Sequence, residues 1–319
     1  MKNEETRPNL LIVDDEPVNL QILRSILQHD YDLSFALDGN KALELAQSEQ
    51  PKLVLLDVMM PGKSGLQTCL ELKSNPATSD IPVIFVTALS DPDDEARGFE
   101  LGAVDYITKP ISPAIVKARV KNHLNLVRVG ELERTRLQII LKLGKAAEYK
   151  DNETGMHVIR MSHFARILAL AAGCSPNYSK DLLNAAPMHD IGKIGIPDAI
   201  LCKPGPLNTD EWQIMQKHAE IGAHIIGEEE SQLLKLAASI ALNHHEKWDG
   251  SGYPRRLQGS EIPLEARIVA IADVFDALTS VRPYKPAWSF DDAMTYIQSN
   301  AGKHFDPTLA NLFEGESLK

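Results

Sequence analysis

The stretch Leu53-Val54-Leu55-Leu56-Asp57 places four large aliphatic residues directly before an aspartate. An apolar run of this length is typical of a strand buried on both faces of a parallel sheet. This stretch is one of five strand patterns in the first third of the chain, which are Leu10–Val13, Asp32–Ala36, Leu53–Leu56, Val83–Thr87 and Val104–Ile107. Helical patterns alternate with them at Val18–Gln28, Asn40–Ser48, Gly65–Lys73, Asp93–Leu101 and Ser112–Val127. The alternation predicts a doubly wound α/β fold with a five-stranded parallel sheet.

Polar residues stand at the carboxyl ends of these predicted strands. They are Asp14 and Asp15 at the first, Asp57 at the third, Thr87 at the fourth and Lys109 at the fifth. The carboxyl ends of parallel strands form one edge of a sheet, where ligands bind. Three carboxylates that meet there favour a hard cation such as Mg²⁺. Any one of these residues alone is more often a solvated loop residue, but the set of five favours a phosphoryl site.

Residues 8–127 resemble a response-regulator receiver domain, which has a flavodoxin-like fold. The resemblance rests on Asp14-Asp15, Leu56-Asp57-Val58-Met59-Met60-Pro61-Gly62, Thr87-Ala88 and Tyr106-Ile107-Thr108-Lys109-Pro110. It implies that Asp57 accepts a phosphoryl group from a sensor histidine kinase. It also implies that Asp14, Asp15, Asp57 and the Met59 carbonyl bind Mg²⁺. Thr87 and Lys109 would then bind the phosphoryl oxygens, and Tyr106 would be the aromatic residue of the switch. We assign residues 1–127 to this domain.

Residues 128–149 are predicted to be a helical linker. Apolar residues at helical spacing lead into it, at Val116, Val120, Leu124 and Val127. Gly130 interrupts the pattern, which resumes from Glu131 to Lys150. A signalling helix or short coiled coil that dimerises the protein fits this pattern, and so do two helices joined at Gly130. The apolar repeat is too short to decide between them.

From Lys150 onward helical patterns dominate, so we predict an all-α domain over residues 150–319. This half contains eight candidate metal ligands at five places in the chain: Glu153, His157, His189, Asp190, His218, His244, His245 and Asp273. One four-coordinate ion cannot use eight ligands, which suggests two or three metals that share bridging groups. A lone helical histidine such as His218 is more often structural. The complete set, with Lys193 three residues after Asp190, favours metal-assisted hydrolysis.

This half resembles the HD-GYP family of cyclic di-GMP phosphodiesterases, within the HD superfamily, over about residues 140–315. The matching motifs are Glu153–Arg160, His189–Asp198, His244–Pro254, and Asp273 through Arg282-Pro283-Tyr284-Lys285. The resemblance implies seven ligands to iron or manganese, with Glu153 able to hold a third metal. It places Asp190 and Lys193 in catalysis. Substrate binding is expected at Gly252, Tyr253, Pro254, Arg282 and Lys285. Lys303 stands where a small polar residue is expected, away from every ligand.

The composition restricts the classes of protein and partner. The chain has 319 residues, of which 44% are hydrophobic and 24% charged, as in soluble globular proteins. Its net charge of −11 argues against direct DNA binding, which needs a positive surface. No apolar run is long enough for a membrane span, and the amino terminus lacks the pattern of a signal peptide. Three scattered cysteines fit a reducing cytoplasm.

These features predict a phosphorylation-regulated response regulator that hydrolyses cyclic di-GMP to the linear dinucleotide, to GMP, or to both. One alternative is a metal phosphohydrolase for another cyclic dinucleotide. The other is a catalytically silent, phosphorylation-controlled adaptor that binds cyclic di-GMP. Whether phosphorylation activates or inhibits is not encoded in these motifs.

Overall fold

The computed structural model describes residues 7–88, 92–151, 156–228, 230–281 and 286–313, without the side chains of 92–95. The chain divides into two compact units, Met1–Glu133 and Arg134–Lys319. In the part of the chain that the structure describes, no helix is both long and apolar enough to span a bilayer.

The first unit is a five-stranded parallel sheet flanked by helices, as the sequence predicts. The strand order is β2-β1-β3-β4-β5. The strands are β1 (Asn9–Val13), β2 (Asp32–Ala36), β3 (Leu53–Asp57), β4 (Val83–Thr87) and β5 (Asp105–Thr108). The helices are α1 (Pro17–Leu27), α2 (Gly39–Glu49), α3 (Gly65–Ser74), α4 (Pro92–Glu100) and the start of α5 (Pro113–Lys150). Each predicted strand is confirmed within one residue at either end.

Alternation along the central strands builds a core on each face of the sheet. Leu53 and Leu55 pack into one apolar cluster, and Val54 and Leu56 pack into the other. Successive side chains of a strand point to opposite faces, so an all-aliphatic strand serves both cores. In the parallel register Val13 lies opposite Leu56. The residues that follow β1 and β3 therefore emerge at the same edge.

Helix α5 is a single helix of 38 residues that continues through Gly130. The sequence did not decide between one helix and two helices joined at Gly130. The structure has one helix, so the helix predicted to end at Val127 extends to Lys150. A glycine inside a helix costs about 1 kcal/mol relative to alanine, which weakens a helix without ending it. The two compact units divide inside α5, between Glu133 and Arg134. The domain limits at residues 127 and 150 stay predictions.

The described residues of the second unit form helices and no regular strand. The helices after α5 are α6 (His157–Ala171), α7 (Pro176–Ala185), α8 (Asp198–Leu201), α9 (Thr209–Gln216), α10 (His218–Ile226), α11 (Gln232–Asn243), α12 (Leu264–Thr279), α13 (Phe290–Ser299) and α14 (Pro307–Leu312). Short 3₁₀ segments lie at Ala186–Met188, Ile191–Gly195 and Gly259–Glu261. One apolar core joins them, with Ala169, Leu182, Ile240 and Phe275 buried in it. The all-α prediction is confirmed.

Two glycines of α5 differ in the space around them, so their alanine variants test the close packing of this helix at Pro187. A Cβ on Gly144 would lie 2.3 Å from the Pro187 carbonyl oxygen, whereas a Cβ on Gly130 would meet no atom within 4 Å. We expect Gly130→Ala to stabilise the protein by up to about 1 kcal/mol. Gly144→Ala should lower the free energy of unfolding by about 1–3 kcal/mol, because α5 must move away from Pro187. Urea unfolding of both variants measures this. Equal effects of the two substitutions would contradict the close approach.

Candidate metal centre

Seven of the eight predicted ligands lie together in the second unit. They form two groups, and within each group the ligand atoms lie within 4.8 Å of one another. The first group is Asp190, His218, His244 and His245, and the second is His157, His189 and Asp273. Glu153, the eighth predicted ligand, lies outside the described residues. The seven residues come from five places that are distant in sequence: 157, 189–190, 218, 244–245 and 273.

Asp190 lies between the two groups. Its Oδ1 is 3.4 Å from Nε2 of His218 and 3.5 Å from Nε2 of His244. Its Oδ2 is 3.2 Å from Nε2 of His189 in the second group. One carboxylate can bridge a pair of metal ions, which is how two-metal hydrolases share a ligand. The geometry fits two cations that have Asp190 in common.

Backbone carbonyls fix the tautomer of three of these histidines. The Nδ1 of His189 lies 3.0 Å from the Ala186 carbonyl, that of His218 is 2.7 Å from Met215, and that of His244 is 3.1 Å from Ile240. A carbonyl can only accept, so each Nδ1 carries the hydrogen and each Nε2 keeps its lone pair. Metal-binding histidines are oriented in this way.

Those lone pairs are buried without a hydrogen-bond partner. The Nε2 atoms of His189, His218 and His244 and the Oδ1 of Asp190 have none among the described residues. A buried polar atom that lacks a partner costs about 1–3 kcal/mol. Cations held at the two groups would satisfy these four atoms. The donor set is imidazole nitrogen and carboxylate oxygen, which suits iron or manganese.

The second group has a supporting carboxylate that the sequence analysis missed. Asp276 is buried, and His157 Nδ1 lies 2.7 Å from its Oδ2. Arg160 donates to the same carboxylate through Nε at 2.7 Å. This arrangement directs His157 Nε2 toward Asp273 Oδ1, 3.1 Å away. The spacing of Asp276, three residues after Asp273 on α12, could have indicated that the two side chains share a helix face.

Glu148 is a second residue that the sequence analysis missed. It is only 2% exposed, and its Oε1 lies 3.7 Å from His157 Nε2. It belongs to the last turns of α5, in a segment predicted as linker. Charged residues are common on a linker helix, so the sequence carries no signal that this one is buried.

Lys193 holds the Asp190 carboxylate in its charged form. Its Nζ lies 2.9 Å from Asp190 Oδ2 and 2.6 Å from Asp151 Oδ2. Burial would raise the pKa of Asp190, but the positive charge of Lys193 opposes it, and that pKa is held well below its ordinary value. Burial would lower the pKa of Lys193, but Asp190 and Asp151 raise it above its ordinary value. Lys193 is therefore a fixed positive charge at neutral pH.

The metal ligands open into a cavity of about 340 Å³, which we call the metal cleft. Its polar lining includes Asp190, Lys193 and Asp273. Val274 and Tyr296 give it an apolar side. A cleft with fixed charges on one wall and apolar surface on the other suits an organic phosphate.

The glycine-rich turn after the histidine pair packs directly on the ligands. The Tyr253 ring stacks on His245, with centroids 4.8 Å apart. A Cβ on Gly252 would lie 2.3 Å from the Lys247 amide nitrogen, so only glycine fits. Buried Glu246 accepts from the backbone amides of Arg255 at 2.7 Å and Leu257 at 3.1 Å. Of the predicted substrate-binding residues, Gly252, Tyr253 and Pro254 lie here, and Arg282 and Lys285 fall outside the described residues.

The first unit contains a separate carboxylate site at its sheet edge. Oxygens of Asp14, Asp15 and Asp57 lie within 4.8 Å of one another, a set that suits Mg²⁺. Lys109 Nζ is 3.0 Å from Asp14 Oδ2 and 3.2 Å from Asp57 Oδ1. The Met59 backbone amide hydrogen-bonds the Asp57 carboxylate. Burial raises the pKa of Asp57, and Lys109 opposes that rise.

Two of the three predicted switch residues, Thr87 and Tyr106, are buried in the same unit, and Lys109 is the third. Thr87 ends β4, and its carbonyl accepts from the Lys109 amide at 2.7 Å. The Tyr106 ring lies inside, with centroids 5.5 Å from Phe85 and 5.1 Å from Phe99. A Cβ on Gly98 would lie 1.6 Å from the Tyr106 hydroxyl oxygen. Glycine at position 98 thus leaves room for the inward ring.

Comparison with known proteins links both units to described families. The HD domain family matches residues 136–309, and the response regulator receiver domain family matches residues 10–121. A protein of Vibrio cholerae named as a probable cyclic di-GMP phosphodiesterase is 42% identical, and the alignment covers 95% of this chain and 76% of that protein. A cyclic di-GMP phosphodiesterase response regulator of Xanthomonas campestris pv. campestris is 39% identical over 94% of this chain and 85% of its own length. A 3'3'-cGAMP-specific phosphodiesterase of Vibrio cholerae is 44% identical over 59% of this chain and 36% of its own length.

The two ligand groups should load metal with different pH dependence. Burial lowers the pKa of His218 to about 4, so its ring is already neutral at pH 7. Burial also acts to lower the pKa of His157, but hydrogen bonds to Asp273 and Asp276 raise it to about 10. A metal must therefore displace a proton at His157 but none at His218.

We expect the metal affinity of the second group to rise up to about tenfold per pH unit between about pH 6.5 and 8.5, because one proton is released. The first group should change far less over that range. Calorimetric Mn²⁺ titration of metal-free protein, in buffers of different ionisation enthalpy, counts the protons. Identical pH profiles for the two binding events would contradict this assignment.

Proposed function

The chain belongs to the HD domain family and, with its receiver domain, to the cyclic di-GMP phosphodiesterase response regulators. We propose that it hydrolyses cyclic di-GMP at a centre of two or three divalent metals. The observation that carries the proposal is the position of Asp190 within reach of His189, His218 and His244, which are buried and have fixed tautomers. The metals are iron or manganese. The first group and the second group each hold one ion, and Glu153 contributes to a third.

When bound, such ions neutralise phosphate oxygens and lower the pKa of a coordinated water. The residues of this chain provide the rest of the chemistry. Asp190 and Asp273 hold their negative charge at neutral pH, since the pKa of each is lowered by neighbouring cationic groups despite burial. Val274 and Tyr296 give the cleft an apolar side, which lowers the polarity around these charges and strengthens them.

Lys193 stabilises the charge that develops on the phosphate. It lines the metal cleft and is held by Asp151 and Asp190. A lysine whose pKa is raised is a poor proton donor at neutral pH, so the electrostatic role is favoured over protonation of the leaving oxygen. Gly252, Tyr253 and Pro254 form the substrate-facing lip beside it. Arg282 and Lys285 are proposed to bind the second phosphate.

The receiver unit accepts a phosphoryl group at Asp57 from a sensor histidine kinase, with Mg²⁺ at Asp14, Asp15, Asp57 and the Met59 carbonyl. Thr87 and Lys109 then bind the phosphoryl oxygens, and Tyr106 senses the change. Helix α5 contributes residues to both units, which makes it the segment that transmits the signal and the candidate surface for a homodimer.

Hydrolysis of another cyclic dinucleotide is the second candidate function. It is favoured by the 44% identity to the 3'3'-cGAMP-specific relative over the helical half. A silent cyclic di-GMP adaptor is disfavoured, because it would not need buried ligand atoms that lack hydrogen-bond partners. Oxygen-free purification, metal analysis and product identification from a panel of cyclic dinucleotides with Mn²⁺ or Fe²⁺ separate the three functions.

Two histidines on α10 provide a matched pair for this test. His218 is a buried member of the first group, and His224 on the same helix is exposed and belongs to neither group. We expect His218→Gln to lose about one metal equivalent and to lower kcat/KM by more than about 100-fold. Removal of residues that only orient ligands already costs about 10–100-fold. His224→Gln should keep both properties, and wild-type turnover in His218→Gln would disprove the ligand assignment.

Phosphoryl mimicry tests the regulation. We expect beryllofluoride with Mg²⁺ to change kcat/KM for cyclic di-GMP by about 5–150-fold, the usual range of coupling between two sites. Asp57→Asn removes the acceptor and should abolish the response while keeping basal turnover and metal content. The measurement is steady-state turnover together with light scattering. If wild-type activity and oligomeric state both stay constant under beryllofluoride, the two units are not coupled.

A further inference from the structure

A second cavity of about 440 Å³ borders the glycine-rich turn, and we call it the base cavity. One wall comes from α9 and α10, and the opposite wall comes from the turn. Its lining residues are Gln213, Gln216, Lys217, Glu220, Gly250, Ser251, Gly252, Tyr253, Pro254 and Arg256. None of them is a metal ligand.

Both walls of the base cavity are continuous in sequence with metal ligands. Lys217 directly precedes His218, and the turn follows the His244-His245 pair. The Tyr253 ring joins the two regions, since it stacks on His245 and its centroid lies 6.2 Å from that of His218. Trp212, on α9, meets the same ring edge-on, with centroids 6.1 Å apart. The base cavity and the first ligand group therefore adjoin across the Tyr253 ring.

The polar groups of the base cavity suit a nucleobase better than a bare anion. Gln213 and Gln216 each offer a donor and an acceptor, and Glu220 offers two acceptor oxygens. Among the described residues, no ion pair engages Lys217, Glu220 or Arg256. Lys217 and Arg256 add positive charge to the lining, but a bare phosphate has only acceptor oxygens and cannot pair with the Glu220 carboxylate. A base has donors and acceptors along its edge, together with a flat face that packs on aromatic rings.

We propose that the base cavity binds one guanine of the substrate, with the Glu220 carboxylate accepting from its N1–H and N2–H groups. This inference rests on the proposed function and names the residues that set its specificity. Guanine presents two adjacent donors on this edge, and a carboxylate accepts both. Adenine presents the lone pair of N1 there, which Glu220 repels. Gln213 and Gln216 complete the contacts to the base.

The proposal predicts a selectivity that depends on Glu220. A substrate with at least one guanine, cyclic di-GMP or 3'3'-cGAMP, fills the cavity, whereas cyclic di-AMP does not. In Glu220→Gln we expect KM for cyclic di-GMP to rise about 10–100-fold, as for loss of a hydrogen bond to a charged group. The preference for cyclic di-GMP over cyclic di-AMP should narrow by a similar factor. Gln216→Leu should raise the same KM while leaving metal content unchanged.

Two controls separate recognition from general damage. Glu230→Gln removes an exposed acid outside the cavity and should match the wild type. Bis(p-nitrophenyl) phosphate has no base, so its hydrolysis should be the same in Glu220→Gln and in the wild type. Equal losses on this diester and on cyclic di-GMP would overturn the base assignment, as would an unchanged KM for cyclic di-GMP. A wild-type enzyme that cleaves the chromogenic diester but no cyclic dinucleotide would instead overturn the proposed function.

Discussion

The structure of the second unit depends on a cluster of buried imidazoles arranged around one carboxylate. His189, His218 and His244 point their unprotonated nitrogens at Asp190, and those nitrogens have no hydrogen-bond partner within the described residues. Such a cluster is costly to bury unless a cation is bound, because both the nitrogens and the carboxylate lose their hydration. The helices that meet here therefore converge on a place that gains stability from metal. Folding and metal binding are coupled for this reason.

The same constraint explains why these ligands stand at helix ends. His189 and His244 directly follow the segments Ala186–Met188 and α11, and His218 begins α10 just after the end of α9. The last carbonyls of a helix have no partner inside that helix. Each of the three histidines donates its Nδ1–H to one such carbonyl three or four residues earlier. Local backbone geometry thus fixes the tautomer, and no second side chain is needed to orient the ring.

Local patterns in the sequence were sufficient to predict most of this arrangement. The strand patterns predicted all five strands, and the signal is strongest in β3 and β4, where burial on both faces is met by apolar residues at Leu53–Leu56 and at 83–86. The paired motifs His189-Asp190 and His244-His245 indicated ligands because they occur together with His157, His218 and Asp273 in one helical half. Burial was harder to predict. Nothing near Glu148 marks it as 2% exposed, and the base cavity exists only where α9 and α10 face a turn that comes thirty residues later in the chain.

In each unit a lysine lies close to two carboxylates that repel each other. Lys109 lies within 3.2 Å of oxygens of Asp14 and Asp57, and Lys193 lies within 2.9 Å of oxygens of Asp151 and Asp190. Each lysine offsets the repulsion between two nearby carboxylates, and in each unit at least one of them, Asp14 and Asp57 or Asp190, belongs to a candidate metal site. A phosphate bound at either site would attract the ammonium group through its negative oxygens, while a bound cation would neutralise the carboxylates. The ammonium group can then pair with the phosphate instead of the protein carboxylates, and no proton is transferred. A raised lysine pKa favours this function, since the group must stay charged in both states.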